Sequence, residues 1–204
     1  MSLQEVRRQA AQRLVIDAAF ELMVESGYTA TTMTAIAEHA GVAERTLYNL
    51  FGSKPGLMLA ALRDRASGGE ADELAADHEH MWSLDDPLEI IEHAVAANHR
   101  VASRALALFQ VAYQAAAVEE EVAAALEELE EYRFHYQGGL IDTLQQKGYL
   151  REDIPYDVIK RGFWLIAGPE MVIKALKAGW DLDTYSTWLR ASLPGFLLPS
   201  SQTN

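Results

Sequence analysis

The chain has 204 residues, half of them apolar, a formal charge of −13 and no cysteine. Such a length and apolar share suffice for a sizeable core without covalent staples, and the missing thiols exclude disulfides, thiolate metal centres and cysteine nucleophiles. The N-terminal segment lacks the basic, apolar, small-residue order of a signal peptide, and no apolar run reaches the roughly 18 residues that span a bilayer, so a soluble cytoplasmic chain without membrane partners is expected.

Apolar residues recur at helical spacing, as in Leu14, Ala18 and Leu22 and again in Val122, Leu126 and Leu129, and no stretch alternates like a strand. The expected fold is all-α. Punctuation by Gly, Pro and Asp/Ser/Thr divides it. A first helix runs from about Gln4 to Ser26 and stops at Gly27. Thr32 caps a second, Met33 to Ala40, which Gly41 ends. A third spans about Ala43 to Leu50, and Ser53 caps a fourth that fades before Gly68-Gly69. Longer helices follow at 70–82, from Pro87, at 104–116 and at 119–147, the last closed by Gly148. Two more are expected at 155–178, interrupted at Gly168-Pro169, and at 183–193, closed by Pro194-Gly195.

Charge is distributed unevenly. Residues 1–66 carry seven basic and seven acidic groups, so the whole net charge of −13 lies in residues 67–204. A body this acidic repels a polyanion, whereas the neutral first third can approach one through locally placed cations. A domain boundary is expected near 66–70, giving domains at 1–66 and 67–204.

Three short helices, the last two joined by a turn at Gly41, form a helix-turn-helix pattern. Ala37 must be small where the next helix crosses, Gly41 supplies the unusual backbone angle, and Ile36, Ala40, Val42, Leu47 and Leu50 fall inward. Glu44, Arg45, Thr46, Tyr48 and Asn49 then face outward. Arg45 suits guanine, Asn49 adenine, and Thr46 a thymine methyl or a phosphate; Glu44 either accepts from cytosine or points away. Tyr48, Lys54 and the Thr31 and Thr32 hydroxyls are placed for phosphates. A helix of about eight residues is roughly 12 Å long and reads only about three or four base pairs, so one copy is too short for a specific site.

The run from Arg13 to Met58 resembles the N-terminal domain of the TetR family of bacterial transcriptional regulators. The resemblance rests on Gly-Tyr, Thr-Thr, Ile-Ala, Ala-Gly-Val, Thr-Leu-Tyr, Phe and Ser-Lys at matching intervals. It implies that residues 43–49 enter a groove of double-stranded DNA, that Tyr48 and Lys54 contact phosphates, and that the remaining chain is a variable ligand-binding and dimerisation domain. One departure is Ala43, which stands where family members carry a Ser or Thr cap. That leaves its backbone N–H as its one means of touching DNA.

Between Gly162 and Gly168 the helix is apolar all round and must be covered on two sides. Together with Trp164, Ala167, Tyr185, Trp188, Leu189 and Leu193, this segment is expected either to form a two-fold interface of a homodimer or to be the central helix of a larger bundle. Asn98 and Gln110 are polar residues on apolar faces. With Trp82, Phe109, Tyr113, Tyr136, Phe163 and Met171 they are the candidate lining of a cavity for an unknown small-molecule effector, although aromatic and Met residues at this spacing also build ordinary cores. No cofactor is implied. Glu89 and His93 stand four residues apart, but two ligands make no metal site, and His78 and His80 point apart on a helix. No phosphate loop, nucleophile elbow or HExxH motif occurs, and nothing in the sequence gathers a Ser/His/Asp set, so catalysis is not expected. Two functions fit: a ligand-responsive repressor that binds a near-palindromic operator as a dimer, and a DNA-anchored module that recruits a protein and has no effector.

Overall fold

The computed structural model describes residues 2–68, 76 and 79–200, without the side chains of 136–138. Among them there is no strand, and the all-α expectation holds. Helix α1 (Leu3–Ser26) opens with a capping box, in which the Ser2 hydroxyl oxygen accepts from Glu5 N at 3.3 Å and the Glu5 carboxylate accepts from Ser2 N at 2.6 Å. Helix α2 (Met33–Ala40) is capped by Thr32, whose oxygen accepts from Ala35 N at 3.1 Å. At its other end Gly41 takes φ 68 and ψ 31, the left-handed region a side chain disfavours. There Val42 N donates to Ala37 O at 3.0 Å and Gly41 N to Glu38 O at 3.2 Å, the Schellman arrangement that turns the chain into α3 (Glu44–Phe51). Helix α4 (Lys54–Ser67) starts on Ser53, whose oxygen accepts from Gly56 N at 3.2 Å.

Helix α5 (Pro87–Ala116) is one uninterrupted helix of 30 residues, not two as expected. No Gly or Pro interrupts it, and Ser103, a residue able to cap a new helix, instead donates back to His99 O at 2.8 Å. Helices α6 (Glu120–Gln146), α7 (Tyr156–Ile166), α8 (Pro169–Lys177) and α9 (Leu182–Leu197) follow. The last runs past Pro194 rather than ending there. The ring removes only one donor, Leu198 N donates to Pro194 O at 2.9 Å, and Leu193, Leu197 and Leu198 are at most 1% exposed, so burial holds the final turn. Of the helix expected at 70–82, residues 79–82 are helical and most of the rest lie outside the described residues, as does His78.

The chain divides into two compact units: Met1–Gly69 with Ala107–Glu130, and Glu70–Leu106 with Glu131–Asn204. The expected boundary near 66–70 assigned 107–130 to the second domain, whereas the end of α5 and the start of α6 pack with the N-terminal helices. The core of the first unit includes Val15, Ile16, Met23, Ile36, Leu47, Leu57, Met58 and Leu62, with Leu108 and Val122 from the added segment, all at most 4% exposed. Helix α4 is tied to that segment by Arg63, whose guanidinium donates to Glu128 at 2.6 Å, and to α1 by Arg65 and Asp17 at 2.5 Å.

In the second unit the break between α7 and α8 leaves carbonyls without helical partners, because Pro169 has no N–H and the backbone turns there. Three other helices supply donors. Arg133 of α6 donates to Trp164 O at 3.3 Å, Asn98 of α5 to Ala167 O at 2.7 Å, and the Tyr185 hydroxyl of α9 to Ile166 O. A buried carbonyl left unmade would cost about 1–3 kcal/mol, so these side chains fix the position of the break.

Candidate nucleic-acid interface

Helix α3 buries one residue in the core. Leu47 is fully buried, and the helical repeat therefore turns Arg45, Tyr48 and Asn49 outward, with Tyr48 48% exposed and Arg45 and Asn49 also exposed. Thr46 is half-buried. Ala43 sits at the N-cap in extended conformation with no side-chain cap, as its residue type requires. Glu44 is the first residue of α3, and its carboxylate accepts from the Thr34 hydroxyl of α2 at 2.9 Å. Of the two alternatives read from the sequence, this contact favours the second: Glu44 pins the head of α3 to α2.

The two neighbouring threonines differ. Thr32 is exposed at the start of α2, where its oxygen caps the helix and its hydroxyl proton stays available to an anion. Thr31 is 3% exposed, and its hydroxyl points inward to Gly27 O at 2.8 Å and Leu22 O at 3.1 Å. The expectation of a Thr31 phosphate contact is therefore corrected, since its donor is spent closing the turn after α1. Lys54 has a mixed position. Its ammonium donates to Tyr28 O and Thr31 O, each at 3.0 Å, and stands 4.0 Å from the centre of the Tyr28 ring. Two of its three N–H bonds thus hold the 28–31 turn, leaving one for a phosphate. Burial lowers the Lys54 pKa, and the Tyr28 hydroxyl is pushed up to about 12 by burial and then by the fields of Glu119 and Glu121.

The expected effector lining falls in both units. Phe109, Gln110 and Tyr113 belong to the first, where the Phe109 and Tyr113 rings stack at 6.1 Å and the Tyr113 hydroxyl donates to Glu130 at 3.0 Å. Trp82, Asn98, Phe163 and Met171 belong to the second; Trp82 is 44% exposed and Phe163 buried. One Asn98 amide N–H is taken by Ala167 O, and the Tyr136 side chain lies outside the described residues.

Several residues expected at a dimer interface are used within the unit itself. Ala167, Gly168, Tyr185 and Leu189 are buried. A Cβ on Gly162 would lie 2.7 Å from Phe196 Cζ, so the close approach that glycine permits is to the chain's own α9. The Trp188 ring packs on Tyr185 at 5.6 Å, and Arg133 stands over the Trp164 ring at 4.8 Å. Ala167, Gly168, Tyr185 and Leu189 thus belong to the unit's own core, whereas Gly162, Trp164 and Trp188 are half-buried. Exposed apolar area on α7 is carried instead by Val158 and Leu165, 50% and 56% exposed, seven residues apart on one face.

The structure also gathers one Ser/His/Asp set that the sequence did not reveal. His99 Nδ1 lies 2.9 Å from Ser186 Oγ, and His99 Nε2 lies 3.9 Å from Asp183. Ser186 is 3% exposed, so its hydroxyl joins α5 to α9 and no substrate reaches it. Among the described residues no group of three His, Asp or Glu converges as a metal site, and no helix is long and apolar enough to cross a membrane. Arg63, Glu128 and Thr34 were absent from the sequence-derived set; each acts through a partner distant in sequence, which no local pattern announces.

A buried Leu47, a left-handed Gly41 and an outward polar row on α3 define a helix-turn-helix transcriptional regulator. More particularly, residues 15–61 match the model of the bacterial regulatory proteins, tetR family. The HTH-type transcriptional regulator YvkB of Bacillus subtilis (strain 168) is 45% identical over 53 residues, a match confined to 26% of this chain and 28% of that protein. The regulator YdeS of the same organism is 27% identical over 170 residues, covering 80% of this chain and 77% of that protein. In fold, FadR of Bacillus subtilis in complex with stearoyl-CoA is similar with a TM-score of 0.71 at 18% identity, over 89% of this chain and 96% of that one.

Proposed function

We propose that this protein is a ligand-responsive repressor that binds a near-palindromic operator as a dimer. The observation that carries the reading is the outward row Arg45, Tyr48 and Asn49 on a helix whose inward residue, Leu47, is fully buried. In that reading Arg45 pairs with guanine and Asn49 with adenine, while Tyr48, Thr32, Lys54 and the half-buried Thr46 position the helix on phosphates. An eight-residue reader needs a second copy, and two such helices roughly 34–36 Å apart meet successive major grooves. The exposed Val158 and Leu165 of α7 offer apolar area for that second copy. FadR of Bacillus subtilis binds stearoyl-CoA, which supports a small-molecule effector for this helical unit too. An effector that favours a wrongly spaced dimer by about 1–3 kcal/mol weakens DNA binding roughly 5–150-fold.

Selection of bound DNA from a random pool, with molar mass measured by light scattering, tests this reading. A two-fold-related motif and a dimer at micromolar concentration are expected. On the selected duplex Arg45→Ala relaxes preference at one position per half-site, whereas Lys54→Ala weakens selected and random duplexes alike. A monomer with no sequence preference would refute the proposal.

A further inference from the structure

Thr34 and Glu44 meet across the turn at Gly41, one on α2 and the other the first residue of α3. The Thr34 hydroxyl donates to Glu44 Oε2 at 2.9 Å. Glu44 is half-buried, whereas Thr34 and the outward row Arg45, Tyr48 and Asn49 are exposed. At about 100° per residue, Glu44 and Tyr48 lie about 60° and 100° to one side of the buried Leu47, while Arg45 and Asn49 lie about 160° from it. Residues four apart on a helix stand about 5–6 Å from each other at Cβ, so the flank that carries Tyr48 carries Glu44 one turn earlier. The Thr34 bond thus decides where a negative charge sits beside the reading row: turned toward α2, or out along the flank of Tyr48.

We propose that Thr34 is a positioning residue for DNA binding, whose hydroxyl holds the Glu44 carboxylate against α2 and away from the phosphate that Tyr48 contacts. The inference rests on the DNA-binding reading above and deepens it with a residue outside the contacts assigned there. A carboxylate only accepts hydrogen bonds, so beside a phosphate it repels unless a donor engages it. Thr34 supplies that donor from the neighbouring helix. With the donor gone, the Glu44 side chain can swing out alongside Tyr48, where its charge opposes the backbone contact on every sequence. The same bond fastens the head of α3 to α2, and the two consequences are separable: fastening needs only a hydrogen bond, whereas repulsion needs the charge. Because the pair is exposed, water and salt screen that charge within a Debye length of about 8 Å at physiological ionic strength.

Fluorescence anisotropy of the full chain on its selected duplex and on an unrelated duplex of equal length tests the proposal. Thr34→Val keeps the shape of an exposed side chain and removes the donor. It is made in the wild-type chain and in a Glu44→Gln chain, whose amide oxygen still accepts from Thr34 but carries no charge. In the wild-type chain Thr34→Val is expected to weaken binding to both duplexes by a common factor of roughly 3–10 at low salt, shrinking as salt rises. In the Glu44→Gln chain the same change is expected to cost less than about twofold, and Thr34→Ser, which keeps the hydroxyl, is expected to bind within about twofold of wild type. An equal cost in both chains would make the bond a mechanical tie alone and overturn the proposal. A loss confined to one duplex, or equal losses for Thr34→Ser and Thr34→Val, would overturn it too. Wild-type protein that binds neither duplex would overturn the DNA-binding reading along with it, whereas wild-type binding with an inert Thr34→Val overturns this proposal alone.

Discussion

The uncapped head of α3 gives a quantitative test of how the reading helix is held. Ala43 takes φ −70 and ψ 139, the extended conformation of an N-cap, and its carbonyl accepts from Thr46 N at 2.8 Å, yet it offers no side-chain oxygen to the first N–H groups of the helix. Glu44, tied to Thr34 at 2.9 Å, anchors that end through a side chain instead. Replacing Ala43 by Thr adds a hydroxyl within reach of the second and third N–H groups, and replacing it by Val adds the same shape without the oxygen. The backbone already has the required angles and Ala43 is exposed, so neither variant creates a clash or buries a methyl. The Thr variant should exceed the Val variant by about 1 kcal/mol, the usual worth of a cap. For a chain of this size that is about 2–4 °C in thermal midpoint. Far-UV circular dichroism reads the midpoint, and hydrogen exchange localises the change to a peptide covering 44–51. Equal midpoints and equal exchange for the two variants would refute the argument, because the oxygen would then have found no donor.

Two further outcomes follow from the packing and titration of the fold. Gly162→Ala brings a Cβ to 2.7 Å from Phe196 Cζ, so the ring must move; a loss of about 1–3 kcal/mol in urea unfolding is expected, and Phe196→Leu in the same chain should restore part of it. The Tyr28 and Tyr185 hydroxyls are both pushed up to about 12 by burial, against about 10 in an unfolded chain. Both are neutral in either state below about pH 10, so their contribution is intact there and is lost as pH rises toward about 12, at about 2–3 kcal/mol each. Unfolding midpoints followed from pH 9 to 12 should fall steeply above 10, and a flat profile would contradict the burial argument.

The identity and edges of the DNA-binding helices are local properties. Ser2, Thr32 and Ser53 cap helices, Gly41 turns one, and Leu47 is inward because it shares the apolar face with Leu50 and Phe51 while Arg45, Thr46, Tyr48 and Asn49 beside it in sequence are polar. Each depends on residues within about five positions, which a sequence displays directly. Errors arose where a local breaker met tertiary burial. Pro194 is a stop signal that α9 overrides because Leu197 and Leu198 are buried, and Ser103 caps nothing because α5 continues through it. Thr31 and Thr32 are adjacent hydroxyls of the same type, yet one faces inward and the other outward according to the turn after α1.

By itself, then, the chain's order of residues determined an all-helical protein with a helix-turn-helix whose polar row is Arg45, Thr46, Tyr48 and Asn49, since periodicity and capping act over a single turn. The tertiary structure decided which of the small and aromatic residues of α7 and α9 are core, that residues 107–130 join the first unit, and that Arg63 meets Glu128 while Asn98, Arg133 and Tyr185 close the α7–α8 break. Those contacts join residues 19 to 69 positions apart. They depend on how whole helices pack, and a hydrogen-bond donor carries no mark in sequence of the distant carbonyl or carboxylate it will satisfy.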